Sequence, residues 1–210
     1  MGSVSRFSQA ISDGEGISVI PLLEGDLGEL ATLAEQAGAE AVAVWSLDDV
    51  AAVRSRCSLP VLVRAPSLVL DEDLRFVSGG EADACVLAYE RFGGEEDLLE
   101  RLYETLSSER ADSVVEVRDE EQLEEVLDRV DPEVILISGG APEMDWENLE
   151  RTLDLLPDVP AGKLVISEAG VVAREQVVAL ERAGVDAIVV GAVFLRESDF
   201  AASLAELTGR

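Results

Sequence analysis

Short runs of β-branched and other apolar residues alternate along this chain with longer segments in which apolar positions recur every three or four residues. The runs are Ile17 to Leu23, Ala41 to Trp45, Val61 to Arg64, Ala84 to Ala88, Ser113 to Val117, Val134 to Ile137, Leu164 to Ser167 and Ala187 to Val190. Between them, Leu27 to Ala37, Glu95 to Ser107, Glu120 to Val130, Trp146 to Leu156 and Arg174 to Ala183 carry the helical period. Near-continuous apolar strands alternating with amphipathic helices predict parallel pairing through right-handed crossovers, and eight such units close a barrel. The expectation is an α/β fold, a (βα)8 TIM barrel forming a single domain over residues 1–210, with a doubly wound open sheet as the competing arrangement.

Several strands are preceded by related signals: Ala37-Gly38-Ala39-Glu40-Ala41, Glu81-Ala82-Asp83-Ala84 and Ala183-Gly184-Val185-Asp186-Ala187. Each reads as a helix end followed by a strand start, and a glycine there supplies the left-handed turn at little steric cost. Glu95-Glu96-Asp97 and Asp119-Glu120-Glu121 are expected in the first turns of helices, where the helix dipole favours negative charge.

Composition narrows the chemistry. Hydrophobic residues make up 48% and aromatics only 4%, as suits a core of Val, Leu, Ile and Ala. The formal charge is −28, from 44 acidic and 16 basic residues, and Lys163 is the only lysine. Such a surface repels nucleic acid, so no nucleic-acid partner is expected. With no histidine in the chain, His-dependent triads and His-ligated metals are excluded. Cys57 and Cys85 lack metal-ligand spacing and read as small buried hydrophobes. No segment approaches the roughly 18 consecutive apolar residues of a membrane span, and Met1 to Ser18 has no continuous signal-peptide core. A cytoplasmic protein without membrane contact is expected.

In a (βα)8 barrel chemistry gathers where the strands end, because the following loops surround one mouth. Strand 4 ends in Ala88-Tyr89-Glu90 and strand 5 in Glu116-Val117-Arg118. Arg64, Glu116 and Glu168 stand out by interrupting otherwise apolar strands, since a charge inside a barrel must be paired or functional. They could form a salt-bridged network, or Arg64 could hold an anionic substrate on which the carboxylates act. Gly170 and Gly191, with Ala192 beside it, open the loops after strands 7 and 8, a common place for a phosphate cradle.

Several stretches together resemble indole-3-glycerol-phosphate synthases: Ser5-Arg6-Phe7, Ile17-Ser18-Val19-Ile20, Leu59-Pro60-Val61-Leu62, Val115-Glu116-Val117, Val165 to Val171 and Val190 to Arg196. The resemblance implies a lyase of tryptophan biosynthesis that closes an indole ring with loss of carbon dioxide and water. It implies catalytic roles for Glu116 and Glu168, and phosphate binding at Gly170, Gly191 and Ala192. No cofactor is implied, and the expected partner is a small sugar phosphate or other anion. The family's strand 1 Glu-x-Lys pair is replaced by Leu22 and Glu24, its strand 3 lysine by Arg64, its strand 6 Asn pair by Ser138-Gly139, and its strand 7 serine by Ala169. The loops after strands 1 and 2 and the segment before strand 1 are shorter than in the family, predicting a mouth more open to water. These departures point to a divergent paralogue with little or no synthase activity. The alternatives are a working synthase with Arg64 as an electrostatic clamp, and a non-catalytic interaction scaffold.

Overall fold

The computed structural model describes residues 6–14, 16–64, 82–92, 97–108, 111–139, 146–191, 195 and 199–209. Its strands are β1 (Ser18–Pro21), β2 (Val42–Val44), β3 (Val61–Val63), β4 (Ala84–Ala88), β5 (Asp112–Val117), β6 (Val134–Ser138), β7 (Leu164–Glu168) and β8 (Ala187–Val190). Each lies within two residues of the run that predicts it. All pairings are parallel, in the order β1-β8-β7-β6-β5-β4-β3-β2. The ends of that order meet where Leu22 bridges Ala43 and the Leu23 amide donates to the Ala43 carbonyl at 2.8 Å. The sheet therefore curls into a barrel, and the open doubly wound alternative falls away.

Around it run helices α1 (Arg6–Ser12), α2 (Leu27–Gln36), α3 (Val50–Arg54), α4 (Tyr89–Phe92), α5 (Leu98–Ser108), α6 (Glu120–Arg129), α7 (Trp146–Leu155), α8 (Arg174–Ala183) and α9 (Phe200–Thr208). Successive strand residues point to opposite faces, which sorts the core into two clusters. Val42, Val63, Leu87, Val115, Ile137, Val165 and Ile188 face outward and pack beneath the helices. Ile20, Leu22, Ala43, Leu62, Val114, Leu136 and Ile166 fill the barrel interior. Phe7 and Ile11 join the interior cluster, so α1, which has no counterpart among the predicted helices, seals the floor. The Ser8 amide anchors it by donating to Asp112 Oδ2 at 2.7 Å.

The signals before the strands acquire a second meaning. Gly184 caps α8 at φ 104°, as the turn requires. The acid that follows each glycine or alanine reaches across to the preceding strand. Asp186 accepts from the Val165 amide at 2.7 Å, Asp83 from Val61 at 2.8 Å and Glu40 from Val19 at 3.4 Å. Three strand starts are thus satisfied by carboxylates.

Burial raises the Asp186 pKa above its ordinary 3.8, against the opposing effect of the Val165 hydrogen bond. The folded state then holds its proton more tightly than the unfolded chain. Asp186 therefore contributes most below pH 3.8, and its contribution declines as pH rises through the raised value. Asp186→Ala is expected to cost about 1–3 kcal/mol in denaturant unfolding, because the Val165 amide loses its acceptor. Asp186→Asn, which keeps an acceptor oxygen, should cost less and flatten this part of the pH profile. An equal loss in both variants would argue against the hydrogen bond as the cause.

Asp97 lies before α5 at φ 61°, not in its first turn; the helix begins at Leu98 and its first-turn acid is Glu100. Glu95 and Glu96 lie outside the described residues. Asp119 does cap α6, accepting from the Gln122 amide at 2.9 Å, with Glu120 and Glu121 in the first turn. Cys57 and Cys85 are both buried, and burial pushes the Cys85 thiol up to about 12, leaving it inert. No helix among the described residues is long and apolar enough to cross a membrane.

Candidate functional site

Layers inside a (βα)8 barrel draw their side chains from alternate strands, and the layer at the mouth draws Arg64, Glu116 and Glu168 from the ends of β3, β5 and β7. Arg64 lies between the two carboxylates. Its Nη1 and Nη2 donate to Glu116 Oε2 and Oε1 at 2.8 and 2.9 Å, a bidentate fork. Nη2 also donates to Glu168 Oε2 at 2.7 Å, and Nε to the same oxygen at 3.2 Å. The side chains of Arg64, Glu116 and Glu168 are only 12%, 2% and 14% exposed, so the expected opening to water stops above them. Burial pulls the Arg64 pKa down, but Glu168 and then Glu116 more than reverse this and hold it above its ordinary value. Arg64 is therefore a fixed cation whose protons are committed to neighbours.

Ser138, at the end of β6, completes the buried set by donating its hydroxyl to Glu116 Oε1. No buried side-chain polar atom among the described residues lacks a partner. Above this layer, Arg118 pairs through Nη1 with Glu90 of α4, and its Nε lies 3.9 Å from Glu116 Oε1. On the β1–β2 side of the mouth, Trp45 Nε1 donates to Glu24 Oε1 at 2.6 Å. Leu22, where the resemblance places a carboxylate, is a buried member of the barrel interior.

Gly170 and Gly191 follow β7 and β8 at the same end of the barrel, both half-buried, and Gly170 has φ 61°. Ala169 is buried and offers no hydroxyl. Ala192 lies outside the described residues. Of the residues singled out in the sequence, the structure unites Arg64, Glu116 and Glu168. Arg118 and Ser138 join them without having been assigned a role. Arg118 was legible in principle, because it follows Glu116 by two positions along the line of one strand.

The family model for indole-3-glycerol phosphate synthase matches residues 23–207. The chain belongs to that family. A synthase of this name from Geobacillus sp. (strain WCH70) is 28% identical over 187 residues, covering 82% of this chain and 69% of the relative. One from Bordetella pertussis (strain Tohama I) is 33% identical over 163 residues, covering 77% of this chain and 60% of the relative, so this family member spans less than two thirds of that protein. Among solved structures, a mutant tryptophan synthase alpha-subunit from Pyrococcus furiosus superposes with a TM-score of 0.70 at 19% identity, covering 92% of this chain and 98% of that one. The N-acetylmannosamine-6-phosphate 2-epimerase from Clostridium perfringens gives 0.65 at 17% identity, covering 88% and 89%. Those two likenesses bear on the fold alone. At the end of β3, where the resemblance places a lysine, this barrel has an arginine fastened to two glutamates.

Proposed function

We propose that this chain is a divergent indole-3-glycerol-phosphate-synthase-like barrel that keeps a pocket for a sugar phosphate or other anion at its mouth and has little or no synthase activity. The observation that carries this reading is the occupied guanidinium of Arg64. Ring closure with loss of carbon dioxide and water needs a group that gives up a proton and takes it back. An arginine whose pKa exceeds about 12 does not do so near neutrality. Here Glu116 and Glu168 hold it in the protonated form still more firmly. A substrate seeking that cation would have to break a buried ion-paired network to reach it. In this reading anion binding falls to the backbone at Gly170 and Gly191 and to the rim above the network, where Arg118 stands.

Turnover of the carboxyphenylamino-deoxyribulose phosphate substrate is expected to stay at the uncatalysed background, while millimolar phosphate raises the melting temperature. Indole-glycerol phosphate that accumulates with wild-type protein and disappears with Glu116→Gln would establish a working synthase instead. An unchanged melting temperature would remove the pocket.

A further inference from the structure

The geometry points to Arg118 as an anion subsite on the rim of the mouth, where a ligand carboxylate or phosphate replaces Glu90 as the partner of the guanidinium. This rests on the reading that the mouth takes an anion, and it names the side chain that receives the charge. Arg118 continues the β5 line two positions beyond Glu116, which places it directly above the buried network. Its base is fixed, because its amide donates to Gln122 Oε1 at 3.0 Å. Its head is held more loosely.

Arg64 sends three nitrogens to two carboxylates that are almost inaccessible. Arg118 is 28% exposed, and its Nε stands too far from Glu116 for a hydrogen bond. Its close partner, Glu90, is 56% exposed and belongs to a helix of four residues. Exposed pairs of this kind contribute little to folding and exchange readily with a competing anion. Burial and the neighbouring charges of Arg64 and Arg151 lower the Arg118 pKa, against an opposing pull from Glu168. In a protein of net charge −28, Arg118 is a partly exposed cation that an incoming anion can use. Glu90 occupies the place as an internal stand-in: a carboxylate already sits where the ligand's charge would go.

The test is calorimetric titration with inorganic phosphate, and in parallel with acetate, at matched ionic strength. It uses wild type, Glu90→Gln, Arg118→Gln and Arg118→Lys, each checked for a cooperative melt. Removing the internal competitor should tighten binding about tenfold, and removing the guanidinium should weaken it by a similar factor, with Arg118→Lys in between. Tightening toward phosphate alone assigns the subsite to phosphate, toward acetate alone to carboxylates, and toward both to either anion. Equal phosphate binding by all four proteins overturns the subsite while leaving the anion-binding mouth intact. Absence of binding by every protein, Glu90→Gln included, removes the mouth reading and the subsite with it.

Discussion

Arg64→Met is expected to lower the unfolding free energy by about 3–5 kcal/mol, because it strands two carboxylates inside a barrel where each was paired. Methionine fills much of the same volume, so the loss reports charge more than cavity. Among the described residues, Glu116, 2% exposed, would keep only the Ser138 hydroxyl at hydrogen-bonding distance, with Arg118 at 3.9 Å. Glu168 would lose its direct cation. The comparison that isolates this cause is Arg64→Met/Glu116→Gln/Glu168→Gln, which removes all three charges together. Replacing a buried ion network as a whole is often close to neutral, whereas removing one partner is not. The triple variant should therefore recover most of the stability lost by the single one in urea denaturation. If Arg64→Met costs under about 1 kcal/mol, the network is not held as described.

The second large effect lies at the opposite end of the barrel. Phe7→Ala should cost about 3–5 kcal/mol, the range for deleting a buried aromatic side chain. Phe7 is fully buried, and with Ile11 it closes the floor beneath Ile20, Leu62 and Leu136. If α1 were merely laid on the surface, the change would fall within about 0.5 kcal/mol. Denaturant unfolding of this variant beside Leu153→Ala, at a residue 36% exposed, separates the two cases.

These two ends show how far the sequence could be read. The barrel was legible because period-two and period-3.6 patterns survive in the strands and long helices, whose faces meet either the interior or the helical shell. Helix α1 was not, since seven residues hold too few turns to display a period. Arg64, Glu116 and Glu168 were legible as charges interrupting apolar strands. Which partner each would choose was not, because the choice depends on how strands 52 and 104 residues apart in sequence come together. Glu40, Asp83 and Asp186 were visible as a recurring pattern, but their acceptor role follows from sheet register, which no local pattern encodes.

Those strand-start acids also suggest where the barrel divides. Each ties an even-numbered strand to the odd-numbered one before it: β2 to β1, β4 to β3 and β8 to β7. The clamp spans one crossover and joins both ends of a βαβ unit at the floor. The seams between clamped pairs lie ahead of β3 and β7. Shuffling or duplicating segments at those seams would preserve every such clamp, whereas a breakpoint inside a pair would sever one.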